Sequence, residues 1–149
     1  MVTLLAIRDA GQPLPACAYL MSPYGDLTLS GRTVAEKPDV DAVLTPEGLR
    51  VRVPDYVGGA DASDPYISPV FGDLTGLPPL LIQVGSHEIL LSDAVRLAER
   101  AAVADVAVTL DVTPGVPHVF QGFAGLLDEA SAALDRASEF IRVQLANAT

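Results

Sequence analysis

Thr113-Pro114-Gly115-Val116-Pro117-His118-Val119-Phe120 decides how the rest of the chain is read. An alternating run, Val106, Val108, Leu110 and Val112, leads into it, and a helical pattern follows a few residues later. The stretch therefore reads as a loop at the C-terminal end of a strand, where open α/β sheets place their chemistry. His118 stands between two proline-stiffened corners. A lone loop histidine is more often a surface residue than a general base, so it needs a partner before it means anything. Val84-Gly85-Ser86-His87-Glu88-Ile89-Leu90-Leu91 supplies one: a second strand end, with a carboxylate on a loop of the same kind.

The segments around these loops repeat a strand-then-helix rhythm. Leu80-Leu81-Ile82-Gln83-Val84 is short and apolar on both faces, as a buried parallel strand is. Ala16-Cys17-Ala18-Tyr19-Leu20-Met21 reads the same way, and Ala107 to Thr113 alternates like a strand near a sheet edge. Helices are expected over Val2 to Ala10, with Val2, Leu5 and Ala6 inward and Gly11 as C-cap, and beyond the second strand, with Ser92 as its cap and Leu91, Val95, Ala98 and Ala102 inward. A last helix is expected from about Phe123 to Leu145, with Phe123, Leu127, Ala130, Leu134, Ala137 and Ile141 on one face. Thr45-Pro46-Glu47 signals a helix start, and Pro54 is expected to limit that helix to two or three turns. The segment from Tyr24 to Pro78 carries too little pattern for a simple connection, and reads as a lid-like excursion over the sheet. The succession predicts a parallel sheet in a single α/β domain.

Composition narrows the function. The chain has 149 residues and a net charge of −10, which repels nucleic acid and anionic membrane surfaces. No run approaches the length of a membrane span, and the N-terminal residues lack the basic start of a signal peptide, so a cytoplasmic protein is expected. The one cysteine, Cys17, has no internal disulfide partner and reads as a small buried hydrophobe.

If strands are parallel, both loops lie at the same sheet edge and Glu88 can meet His118. A carboxylate on one imidazole nitrogen fixes the tautomer and stabilises the imidazolium, while the other nitrogen acts as base. That is the acid–base half of a nucleophilic triad; the other half is an activated Ser or Cys within G-x-S-x-G and an oxyanion hole. The 149 residues contain no G-x-S-x-G. A metal site from His87, Glu88 and His118 is a weak competitor, because ligands adjacent on an extended loop point apart and no fourth ligand is evident. His87 is read as incidental, and no cofactor is expected.

Leu4-Leu5-Ala6-Ile7-Arg8-Asp9-Ala10-Gly11, Ser22-Pro23-Tyr24-Gly25-Asp26-Leu27-Thr28, Asp64-Pro65 with Ser68-Pro69, and Gly76-Leu77-Pro78-Pro79 give the pattern a family. With the two loops, the sequence resembles the C-terminal half of a hormone-sensitive-lipase-type bacterial carboxylesterase of the α/β-hydrolase fold, over essentially the whole chain. The resemblance implies a partial α/β-hydrolase fold of three parallel strands with helices, and small carboxylic esters as substrates. It also implies Glu88 as the catalytic acid, three residues past Gly85, and His118 as the base thirty residues further on. The family's H-G-G-G loop and G-D-S-A-G elbow belong before the first helix, so the nucleophile and oxyanion loop are expected to be missing. Losing the serine alone costs about 10⁶ in kcat, and an oxyanion donor roughly 10²–10³, so the chain alone is expected to be inactive. Two departures stand out: Val51-Arg52-Val53-Pro54 interrupts a stretch expected to be helical, and Ala104-Asp105 replaces a usual helix-ending glycine. The alternative is a non-catalytic interaction module, or a half-enzyme completed by another chain. In either case the 16–21 strand is expected to have an uncovered edge that favours self-association.

Overall fold

The structure is a computed structural model and describes residues 1–148. Helix α1 (Val2–Asp9) leads through Gly11 (φ 62) to strand β1 (Ala18–Met21). A long segment with helices α2 (Arg32–Glu36) and α3 (Pro46–Val57) then precedes β2 (Leu80–Gly85), α4 (Leu91–Val103), β3 (Val108–Thr113) and α5 (Asp128–Asn147). The three strands form one parallel sheet in the order β1-β2-β3.

Every residue of β2 is buried, because its two faces are covered by different helices. Leu80, Ile82 and Val84 pack with Leu4 and Leu5 of α1 and Ala94, Leu97 and Ala101 of α4. On the opposite face Gln83 donates to Ala133 O of α5 at 2.8 Å and to Asp111 Oδ2 at 2.9 Å, and accepts from Tyr19 Oη at 2.6 Å. A buried amide in a central strand is tolerated because these partners meet its donors and acceptor.

Several helices differ in phase or length from the sequence reading. In α4 the buried residues are Asp93, Ala94, Leu97, Ala98 and Ala101, while Val95 and Ala102 are exposed. The stripe is rotated because a carboxylate, Asp93, belongs to the inner face, which a purely apolar template excludes. Ser92 does not cap α4; it exchanges bonds with Thr33, whose Oγ1 accepts from Ser92 N at 2.9 Å. In α1 the buried pair is Leu4 and Leu5, and Ala6 is exposed. Phe123 lies outside α5, in a separate turn of 3-10 helix (Phe120–Phe123), and Ala133 joins Ala130 and Ala137 on the buried face. Cys17 is only half-buried.

Helix α3 corrects the reading of Pro54. Thr45 caps it, accepting from Gly48 N at 3.0 Å, and it continues through Pro54 to Val57. Proline removes one helical hydrogen bond, but here the freed carbonyl belongs to exposed Arg50 and water can take it. Val51-Arg52-Val53-Pro54 is therefore helical after all. Asp105 solves the missing glycine by itself taking the left-handed conformation, φ 57, a region that Asp enters more readily than most residues.

The segment between β1 and β2 is pinned at its base by buried carboxylates. Asp93 Oδ2 accepts from Gly25 N at 3.1 Å and Asp26 N at 3.0 Å. Asp26, also buried, accepts from Ser30 Oγ at 2.5 Å and from Arg96 Nη1 at 2.6 Å. Burial pushes Asp26 up, but bonds from Ser30, Thr28 and Arg96 outweigh it and hold this carboxyl below the usual range. Burial pushes Asp93 up to about 7, against an ordinary value of 3.8. The native state thus keeps a proton that the unfolded chain has already released, so stability falls as pH rises from about 4 to about 7 and levels off above that. Asp93→Asn keeps an oxygen for the two amides and cannot ionise. Urea titrations across that window should show the negative slope flattened in the variant; an unchanged slope would exclude Asp93 as its source.

Candidate functional site

The parallel register sets Gly85, the last residue of β2, beside Thr113, the last of β3. The loops that leave these strands are then stitched together. Ser86 N donates to Thr113 O at 2.9 Å, His87 N to Val116 O at 3.1 Å, and Gly115 N to Ser86 Oγ at 2.9 Å. Approach is so close at Gly85 that a Cβ there would lie 2.2 Å from Val116 O, which is why the strand ends in glycine.

Glu88 and His118 meet across this seam, His118 Nδ1 lying 2.9 Å from Glu88 Oε2. Glu88 is fully buried, and its other oxygen, Oε1, accepts from Gly85 N at 2.6 Å and from Ser22 Oγ at 2.8 Å. A buried carboxylate with donors on both oxygens is electrostatically satisfied and sits in one rotamer. The pairing presents Nδ1 as the donor, so the neutral ring carries its hydrogen there. Nε2 has no hydrogen-bond partner among the described residues, and the His118 side chain keeps 17% of its surface accessible. That nitrogen is free to take and return a proton. His87 points away into solvent, and no group of three or more His, Cys, Asp or Glu that could hold a metal ion occurs among the described residues.

Residues that the sequence reading passed over hold the acid loop from behind. Asp41 Oδ2 accepts from Ile89 N at 2.9 Å, while its Oδ1 turns the chain by accepting from Val43 N and Leu44 N. Thr33 Oγ1 donates to Ile89 O at 2.7 Å, and Lys37 Nζ to Ser86 O at 2.9 Å. Ser22, at the end of β1, was equally missed. The Ser22-Pro23 punctuation marks a strand end, which was the available signal; the long-range partners of Asp41 and Lys37 left none.

A parallel sheet with a carboxylate–imidazole pair at its C-terminal edge defines the class: a hydrolase-type α/β fold. Comparison agrees. A profile described as the alpha/beta hydrolase fold matches residues 1–122, and the chain belongs to that family. An acetyl-hydrolase of Streptomyces hygroscopicus is 41% identical over 142 residues, covering 95% of this chain and 48% of that protein. An esterase of Acinetobacter venetianus is 42% identical over 139 residues, covering 91% of this chain and 46% of its own length. Among solved structures, EstE5 soaked with ethyl alcohol superposes with a TM-score of 0.95 at 39% identity, over 97% of this chain and 49% of that one. A hormone-sensitive lipase from a metagenome library gives 0.93 at 40% identity, over 96% and 49%. The chain spans about half the length of the curated relatives it matches. No helix of the described residues is long and apolar enough to cross a membrane.

Proposed function

We propose that these residues form the acid- and base-bearing part of a carboxylic ester hydrolase, with Glu88 as the acid and His118 as the base. The observation that carries this reading is the buried Glu88 bonded to His118 Nδ1 at 2.9 Å, with Nε2 unengaged among the described residues. In the reaction, Nε2 removes the proton from a serine hydroxyl as it attacks the ester carbonyl, and then returns it to the departing alkoxide. Glu88 holds the ring in place throughout and offsets the charge of the imidazolium. Small carboxylic esters, such as the acetyl groups named for one relative, are the substrate class.

Of residues 24–78, the part that carries α2 and α3 is read as the lid-like cover, since Val70, Leu74 and Leu77 are buried in the main core with α1 and α4. An open, mostly apolar groove of about 320 Å³ is lined by Val2, Tyr24, Leu27 and Ile67 and by Arg52, Val53 and Tyr56 of α3. It is suited to the apolar part of such an ester.

The 149 residues hold no G-x-S-x-G, so alone they should not turn over p-nitrophenyl acetate above the uncatalysed rate, and His118→Ala should change nothing. Turnover by the isolated chain that drops at least tenfold in His118→Ala would overturn this half-site reading, because it would require another nucleophile within the chain.

The outer edge of β1 favours a second reading, a half-enzyme or interaction module completed by another chain. Among the described residues β1 pairs with β2 alone, and Met21 is 45% exposed. An unpaired apolar strand edge is a template for association with a second copy. Light scattering that gives a monomer, with amides 18–21 protected from exchange, would contradict it.

A further inference from the structure

Ser22 closes β1 in an unusual backbone conformation. Its φ is 42, in the left-handed region that a serine enters only at a cost, and its side chain is buried. Its amide donates to Gln83 O at 2.7 Å, so the turn starts from the sheet itself. Its hydroxyl then serves two loops at once, donating to Glu88 Oε1 at 2.8 Å and accepting from Val119 N at 3.0 Å. Val119 follows His118 directly and is also left-handed, φ 51. One hydroxyl therefore joins the end of β1, the acid loop and the base loop. With Gly85 N as its second donor, Oε1 faces away from the imidazole, and Oε2 is the oxygen that meets Nδ1.

We propose that Ser22 is a positioning residue for the Glu88–His118 pair. Its hydroxyl fixes the rotation of the carboxylate and seats the His118 loop, and so holds the imidazole in the tautomer with hydrogen on Nδ1. The inference rests on the reading of that pair as acid and base. The tautomer of a neutral imidazole is set by what faces each nitrogen, so it reports the seating directly. Without the hydroxyl, Val119 N loses its acceptor and Oε1 keeps only Gly85 N, which loosens both ends of the pair.

The test is ¹⁵N spectroscopy of the histidine side chains in the full chain at about pH 8, where an ordinary imidazole is neutral. His87→Gln assigns the two sets of signals. Ser22→Gly suits the left-handed backbone but lacks the hydroxyl, and Ser22→Thr keeps the hydroxyl. The Nδ1–H form should dominate in the parent and in Ser22→Thr. Its ratio to the Nε2–H form should fall roughly tenfold in Ser22→Gly and at least as far in Glu88→Gln. An unchanged ratio in Glu88→Gln overturns the reading of the pair. A fall in Glu88→Gln with a parent-like ratio in Ser22→Gly overturns the role of Ser22 alone. In the parent, the Ser22 hydroxyl proton should also exchange slowly and show a cross-peak to the Val119 amide. Its absence overturns the proposal whether or not the variants fold.

Discussion

Glu88→Ala should destabilise the chain by about 3–5 kcal/mol, the usual cost of removing one partner from a buried, hydrogen-bonded charge cluster. Three donors converge on this carboxylate: Gly85 N, Ser22 Oγ and, on the other oxygen, His118 Nδ1. Truncation leaves all three in a site from which water is excluded, and adds a cavity between the loops. Glu88→Gln has nearly the same shape and still offers an oxygen to Gly85 N, so its loss should be visibly smaller. Urea denaturation of both variants separates the two effects. Equal, small losses would show that the loops are held together without the carboxylate.

Gly85→Ala should also open the site, although it removes nothing. The added methyl would lie 2.2 Å from Val116 O and 2.9 Å from Pro117 O, both backbone atoms of the loop that carries His118. Backbone has no alternative rotamer, so the seam must open. Overpacking of this kind costs about 1–3 kcal/mol and sometimes more. The His87 N to Val116 O bond, 3.1 Å in the parent, is the first that should break. Amide exchange at His87 and loss of the Nδ1–H signal of His118 would report it. A variant that keeps both would mean that the loops can slide apart while the pair stays intact.

These two sites also mark how far the sequence could be read. β2 and β3 were legible because an all-apolar run and an alternating run each have one sensible environment, and their parallel pairing put Glu88 and His118 at one edge. The phase of α4 was not legible, because its buried face includes Asp93, whose partners, the amides of Gly25 and Asp26, lie far away in the chain. α3 was read as too short because the rule against internal proline assumes a freed carbonyl with no solvent to take it. Asp41, Lys37 and Thr33 act through main-chain atoms of residues 86–89, and such contacts follow from tertiary structure rather than from any local pattern. The left-handed turns at Ser22 and Val119 were hidden for the same reason: neither residue type favours that conformation, and the surrounding bonds impose it.

The most direct test of the central claim joins these 149 residues to the part of an esterase relative, such as the Acinetobacter venetianus protein, that lies outside the matched 46%. Hydrolysis of p-nitrophenyl acetate by the folded hybrid is then compared with its His118→Ala and Glu88→Gln variants. The account predicts turnover in the hybrid, a loss of about 10⁴–10⁶ in kcat for His118→Ala, and a smaller but large loss for Glu88→Gln. A folded hybrid whose turnover is the same with alanine at position 118 would contradict it.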